Sequence, residues 1–331
     1  MPLIDRFGRA HDYLRISVTD RCNLRCIYCM GPEGVKHIPH QEILTYEEIL
    51  QIVAVGAELG IKKIRITGGE PLVRKGVVSL VEGIARIPGI SDIAMTTNGI
   101  LLPHYAAALK KAGLKRVNIS LDSMREEVFK KITRRGDLRA VQEGIKASLE
   151  VGLQPVKINT VLMKGINHTE VADFLRLAQE YPLYVRFIEY MPIGDHDRKY
   201  GRRYLPLSYV KETAASMGLP LIPADPPAGA GPAESFTLPG GKGGIGLIHP
   251  ISRHFCHSCN RLRLTADGRL KACLYWQEEI PLRPAAGDRA ALRELFRQVV
   301  GSKARQHLMS ASAQHGPVSP GLMRNMSKTG G

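Results

Sequence analysis

The sequence predicts an α/β protein: an incomplete, three-quarter β/α barrel followed by a C-terminal iron–sulfur module. Three observations carry this. Strand-like and helix-like patterns alternate six times over the first 190 residues. The alternation stops after Ile188. All six cysteines fall into two tight groups. Repeated strand–helix units give a parallel sheet with right-handed crossovers. Such a sheet is either doubly wound or curled, and both forms bind ligands at the C-terminal ends of their strands. Six units are fewer than the eight of a closed barrel. An open barrel, whose side gap admits a larger substrate, is therefore expected over residues 1–220. Residues 221–331 are expected to hold the second cysteine group and a tail.

The expected strands are Tyr13 to Val18, Lys63 to Thr67, Ile93 to Thr97, Arg116 to Leu121, Pro155 to Val161 and Tyr184 to Ile188, each short and rich in β-branched residues. Thr45-Tyr46-Glu47-Glu48 has the form of a capping box ahead of the apolar periodic run Ile49, Ile52, Val53, Leu59, and Gly60 ends that helix. Leu80 to Ile87, Tyr105 to Lys111, Asp137 to Val151 and Glu170 to Gln179 supply the other helices. Pro223 to Ala233 reads as a flexible connection, and Gly240 to Gly244 as a turn, since it lacks the Lys-Ser/Thr ending of a phosphate loop. Ala266-Asp267-Gly268-Arg269 reads as a hairpin turn and Asp288 to Val300 as a helix. The polar tail from Gly301 to Gly331 should be ordered only where something holds it.

The first cysteine group is Cys22-x3-Cys26-x2-Cys29, directly after the first strand. Three thiolates can hold a [4Fe–4S] cluster and leave one iron open, whereas ferredoxin-type clusters use four. An open metal position is what makes a centre reactive rather than structural. This loop packs three thiolates closer than a lone tetrahedral ion needs. The second group is Cys256-x2-Cys259 with Cys273. It suits a second cluster or, with His254 or His257 as a fourth ligand, zinc. Disulfides are a poor reading for a chain of 331 residues whose N-terminus is polar and charged, without the look of a signal peptide.

Lys and Arg number 46 against 31 Asp and Glu, a net charge of +15. Such a surplus fits an anionic partner. It concentrates at Arg134-Arg135, Arg198 to Arg203 and Arg261-Arg263, of which only the last lies in a chemical motif. No apolar run is long enough for a transmembrane helix. No RNA-binding module is apparent. Cytoplasmic location is expected. Arg15 and Lys157 interrupt apolar strands, where an unpaired cation is costly, so a buried anion is expected beside them.

Leu14 to Asn23 leading into the first cysteine loop, with Thr67-Gly68-Gly69-Glu70-Pro71 after the second strand, resembles the opening of radical S-adenosylmethionine (SAM) enzymes. Further motifs are Thr96-Thr97-Asn98-Gly99, Asn118 to Asp122, Arg186 to Pro192, Cys256-x2-Cys259-Asn260-Arg261-Leu262-Arg263 with Cys273, and a terminal Gly330-Gly331. Together they closely resemble the molybdenum cofactor biosynthesis protein A family, the GTP 3′,8-cyclases, from about Tyr13 to Gly331. Thr329 departs from the aliphatic residue expected before the Gly-Gly end.

The resemblance implies two [4Fe–4S] clusters, on Cys22, Cys26 and Cys29 and on Cys256, Cys259 and Cys273, with SAM on the first and the guanine of GTP on the second. It implies SAM contacts from Tyr28, Gly69, Ser120 and Met191. It implies GTP contacts from Arg15, Arg65, Thr96, Lys157, Arg261 and Arg263, and a tail, Gly330 and Gly331, that reaches the active site. A 5′-deoxyadenosyl radical would take the ribose 3′ hydrogen, and the resulting carbon radical would attack guanine C8. An electron donor, a downstream cyclic pyranopterin monophosphate synthase and room for a homodimer complete the expectation. Neither membrane nor nucleic acid is expected as a partner.

Overall fold

The computed structural model describes residues 2–193, 200–309 and 326–329. The six expected strands are present as β1 (Tyr13–Ser17), β2 (Lys63–Thr67), β3 (Asp92–Thr97), β4 (Arg116–Ser120), β5 (Val156–Leu162) and β6 (Leu183–Glu189), each parallel to the next. The helices between them are α1 (Tyr46–Glu58), α2 (Val77–Ala85), α3 (Leu102–Lys111), α4 (Glu126–Thr133), α5 (Leu138–Glu150) and α6 (Val171–Glu180). The capping box at α1 forms: the Glu48 amide donates to Thr45 Oγ1 and the Thr45 amide to Glu48 Oε2. α4 was not foreseen, because its eight residues carry apolar side chains only at Val128, Phe129 and Ile132.

The sheet does not stop at six strands. After α7 (Tyr200–Arg203) and α8 (Ser208–Ser216) come β7 (Ile222–Pro223), β8 (Glu234–Thr237) and β9 (Gly244–Ile248), and β9 lies parallel beside β6. At the other edge β10 (Arg261–Leu264) lies parallel beside β1, followed by β11 (Arg269–Lys271), β12 (Ile280–Pro281) and α9 (Arg289–Gly301). Among the described residues the order is β12-β11-β10-β1-β2-β3-β4-β5-β6-β9-β8-β7, an open sheet. The hairpin turn before Arg269 is as expected, with β10 antiparallel to β11. β9 escaped sequence reading because its two glycines suggest a loop.

Alternation along the strands gives the sheet two unlike faces. Leu14, Ile16, Ile64, Ile66, Met95, Val117, Ile119, Ile158, Val185 and Phe187 are buried in one continuous core with the helices. Fully burying each such side chain contributes roughly 1.5–3 kcal/mol. α1 packs on α2, α2 on α3, α3 on α5, α6 on α8, and α9 returns to α1. Among the described residues this is a single helical layer with no second layer on the opposite face, the barrel-like alternative rather than the doubly wound one. The opposite face, the concave one, carries Arg15, Arg65, Thr96, Asn118, Lys157, Arg186 and Arg263, aligned by strand register.

One expectation is corrected. Pro223 to Ala233 is not a loose connection: Pro223 pairs with Phe236, the Ala224 amide donates to the Ser235 carbonyl, and Ala228 to Ala230 press onto the concave face. The ordering contacts are long-range, so local composition could not reveal them.

Candidate functional site

The first cysteine loop follows β1 at the C-terminal end of the parallel sheet. Cys22, Cys26 and Cys29 are half-buried free thiols. The loop is tied down by backbone and arginine contacts. The Arg25 and Ile27 amides donate to Thr133 and Ile132 carbonyls at the end of α4. Arg134 Nη1 donates to the carbonyls of Arg25 and Met30 at 2.8 and 2.9 Å. Arg134 has a left-handed φ of 62°, rare for a side-chain-bearing residue, and caps α4 in that strained state. Burial pushes the Cys22 thiol up to about 11, and burial with nearby Asp122 raises Cys26 as well.

Of the residues expected to hold SAM, Tyr28 lies in this loop and Gly69 against the chain leading into it, while Ser120 and Met191 lie at or after the ends of β4 and β6. Tyr28 Oη donates to Asp122 Oδ2 at 2.7 Å, and burial lifts the Asp122 carboxyl to about 6. Ser120 ends β4 beside Asn159 of β5. Met191 follows β6 and packs in an apolar group with Tyr275, Trp276 and Cys273. Gly69 has a steric duty beyond any ligand contact. Its amide donates to the Thr19 carbonyl at 2.7 Å, and a Cβ there would sit 2.3 Å from the Arg21 carbonyl oxygen. The Gly-Gly turn thus docks on the chain leading into Cys22. Gly69→Ala is expected to force these backbones apart at about 1–3 kcal/mol. It should lower both SAM affinity and first-triad iron while second-triad iron stays. Iron analysis after anaerobic reconstitution and equilibrium SAM binding check this; unchanged values would mean that the turns yield freely.

The concave face holds the expected cations. Arg15 of β1 lies between Arg263 of β10 and Arg65 of β2 in register. Arg65 Nε donates to Tyr13 Oη and Nη1 reaches Thr96 Oγ1 at 3.5 Å. Arg261 lies with its guanidinium 4.7 Å from the Phe255 ring centre. Lys157 is fully buried and donates to the Ala228 carbonyl at 2.5 Å, a neutral partner where a buried anion is expected. Two more cations, absent from the sequence reading, join them. Arg186 donates to Asn159 Oδ1 at 2.9 Å and reaches the Ala230 carbonyl, while Arg116 forks onto Asp92 with Gly229 lying against its guanidinium. The signal was present: a basic residue at alternate positions of an otherwise apolar strand.

Burial together with this density of positive charge shifts several titrating groups on the face. Burial and the Arg186, Arg116 and Arg65 charges depress the Lys157 amine to about 6. Burial with Arg65 nearby depresses Arg186 to about 9, and burial with Arg261 depresses Arg263 to about 10. Burial alone would raise Tyr13, but Arg65, Arg15 and Arg261 hold it down at about 8. Asn118 Oδ1 and Arg116 Nε are buried here without a hydrogen-bond partner. A polyanion carrying both donors and acceptors would satisfy all of these groups.

The second triad lies at the other end of the sheet. Cys256 and Cys259 precede β10, which runs parallel to β1, and Cys273 follows the antiparallel β11, so all three meet at the N-terminal side. The two cysteine groups thus flank opposite ends of β1, whose five residues alone span about 16 Å at ~3.3 Å per residue. Of the candidate residues, Cys22, Cys26, Cys29, Tyr28, Gly69, Ser120 and Met191 lie at or after C-terminal strand ends, and the second triad does not. The cations occupy the strands themselves. Although burial raises the Cys259 thiol, Arg261 and Lys303 outweigh it and bring it down to about 7. His254 faces the His307 ring at 5.5 Å and His257 is exposed. Among the described residues no three His, Cys, Asp or Glu side chains converge on a single-ion site. The fit to clusters rests on the donor chemistry: three thiols at each end and no fourth. Thr329 is buried, with its carbonyl 3.4 Å from Arg263 Nη1. Gly330 and Gly331 lie outside the described residues.

The chain matches the family model described as the Radical SAM superfamily over residues 16–178, and that described as Molybdenum Cofactor Synthesis C over residues 183–309. It is 54% identical over 308 residues to a curated GTP 3′,8-cyclase of Petrotoga mobilis, covering 92% of this chain and 94% of that one. It is 50% identical over 330 residues to the GTP 3′,8-cyclase of Listeria monocytogenes, covering 99% of each. Among solved structures it resembles Streptococcus suis SuiB bound to S-adenosylmethionine, at 14% identity and a TM-score of 0.58 over 88% of this chain and 69% of that one, a likeness of fold.

Proposed function

The chain belongs to the GTP 3′,8-cyclase family of radical SAM enzymes, and from that premise we propose how its own residues divide the reaction. The enzyme, a lyase, converts GTP to (8S)-3′,8-cyclo-7,8-dihydroguanosine 5′-triphosphate, the first step of molybdenum cofactor biosynthesis, with two [4Fe–4S] clusters and SAM. When bound, these cofactors supply one-electron cleavage of SAM, hydrogen abstraction from the ribose and a Lewis-acid anchor for guanine. Cys22, Cys26 and Cys29 hold the first cluster; Cys256, Cys259 and Cys273 hold the second. Tyr28, Gly69, Ser120 and Met191 seat SAM, with Asp122 orienting Tyr28. Arg15, Arg65, Lys157, Arg261 and Arg263 seat the triphosphate, Thr96 adds a polar contact, and Arg186 joins them.

The observation that carries this reading is the buried row of cations strung between two thiol triads. A nucleotide fits it with phosphates on the cations and base toward the second triad. The position of Thr329 supports a tail whose Gly330 and Gly331 enter the same space. Residues 1–220 form the barrel part in this reading and 221–331 the second-cluster part. The reading requires an external electron donor and a downstream cyclic pyranopterin monophosphate synthase, and the protein acts alone or as a homodimer. Six cysteines, none in a disulfide, suit a reducing compartment, the cytoplasm. Among the described residues no helix is long and apolar enough to cross a membrane.

Anaerobic incubation with GTP, SAM and a reductant should yield the cyclised nucleotide and 5′-deoxyadenosine together; deoxyadenosine without cyclised product at saturating GTP would refute the reading. A second expected result concerns protons. With its pKa at about 6, Lys157 is neutral near pH 8 in the substrate-free protein, and a bound triphosphate should return its proton. GTP binding at pH 8 should therefore take up close to one proton. Affinity should fall by up to about tenfold per pH unit above that pKa. The unfolded lysine keeps its proton to about 10.5, so the free protein gains stability as pH rises between about 6 and 10.5. Calorimetry in buffers of different ionisation heat reads the uptake; the same uptake in Lys157→Ala would place the proton elsewhere.

A further inference from the structure

Lys303, just beyond α9, is only 3% exposed. Its Nζ donates to the Arg261 carbonyl at 2.8 Å and lies 3.5 Å from Cys259 Sγ. A buried ammonium needs a negative partner. Among the described residues the salt bridges pair no carboxylate with it, and the negative groups acting on it are the Cys259 and Cys273 thiolates. Its placement is built in from the N-terminus. Arg9 Nη1 donates to the carbonyls of Cys256 and Arg305, at 2.7 and 2.9 Å, and Nη2 to that of Ala304 at 2.8 Å. One guanidinium thus clamps the Cys256 loop to the segment carrying Lys303, and Asp5 holds that guanidinium at 2.6 Å.

The first triad is unlike this. Its charged neighbours include Glu70 and Asp122, and Arg25 Nη1 is directed to the backbone carbonyls of Cys22 and Leu24 rather than to a sulfur.

We propose that Lys303 is a positioning residue of the second cluster, an ammonium donor to the Cys259 sulfur that stabilises the reduced cluster and raises its reduction potential. The proposal rests on the reading that Cys256, Cys259 and Cys273 hold a [4Fe–4S] cluster. Reduction adds one electron to the cluster and breaks no bond, so a fixed positive charge at a ligand sulfur favours the reduced state directly. Donors to cluster sulfurs shift potentials in the same sense.

The test is an anaerobic redox titration with dithionite, followed by electron paramagnetic resonance, on protein reconstituted at both triads. The Cys22→Ala/Cys26→Ala/Cys29→Ala variant assigns the second-cluster signal. Lys303→Met and Lys303→Gln should move that midpoint to more negative potential, Lys303→Arg should stay near the unsubstituted protein, and the first-cluster midpoint should not move. Loss of second-triad iron in Met and Gln variants but not in Arg also supports the proposal, since loading then follows the charge. An unmoved midpoint with full iron overturns it, as does iron loss in the Arg variant as well, which would make Lys303 a packing element. Absence of second-triad iron from the triple cysteine variant with Lys303 intact would defeat the cluster reading itself, separately from the lysine.

Discussion

Cys26→Ala is expected to abolish 5′-deoxyadenosine formation, while Cys259→Ala should retain some of it and give no cyclised product. The reason is placement. The two triads flank opposite ends of the β1–β10 pair and share no cysteine. Cys26 lies beside Tyr28, proposed to seat SAM, and Asp122. Losing it removes the route by which an electron reaches the sulfonium. Cys259 lies beside Arg261 and Lys303 on the nucleotide side. Losing it leaves SAM seated but guanine unanchored, and without an anchored substrate the cleavage is uncoupled. Both products are measured side by side after anaerobic incubation. Full cyclisation by Cys259→Ala would refute the role given to the second triad, and loss of all iron from either variant would mean that the triads are not independent.

Removing a concave-face cation should weaken GTP and spare SAM. A charge-assisted contact contributes about 1.5–3 kcal/mol, so Lys157→Ala or Arg263→Ala should weaken GTP binding by roughly ten- to a hundredfold. Truncation also relieves like-charge crowding, since Lys157 and Arg263 are both depressed by burial together with neighbouring cations. The substrate-free variants should therefore be no less stable than the parent, and Lys157→Ala should melt higher below pH 6, where the buried amine is charged in the folded protein. Equilibrium binding of GTP and SAM, with a thermal melt on the same samples, decides this. Equal loss of both ligands, or a lowered melting temperature, would indicate misfolding rather than a lost phosphate contact.

Much of the chemistry is local and therefore legible in the residue order. Cysteine spacing points to the first candidate cluster loop, since three thiolates on a single loop must follow one another closely along the chain. The capping box at Thr45 and the six strand–helix units depend on contacts a few residues apart, and they appear where expected. Basic residues inside apolar strands, Arg15 and Lys157, raise the expectation of a buried anion, because a charge there needs compensation. Arg116 and Arg186 are further basic residues of the strands, held by Asp92 and Asn159.

Other features depend on residues far apart in sequence. The joining of β10 to β1 and of β9 to β6 brings residues some 250 and 60 positions apart into register. That pairing puts Arg263 beside Arg15 and sends the second triad to the end of the sheet opposite the first. No local pattern specifies it, because parallel pairing depends on which edges remain free once the first six strands have closed their core. The clamp of Arg9 on the Cys256 loop, the burial of Lys303 against Cys259, and the Pro-rich segment that caps Lys157 arise in the same way. Residue type and spacing set which groups can hold iron, SAM and phosphate; the long-range strand pairing sets how far apart they stand and which charges face them, because distance and burial arise only when remote segments pack.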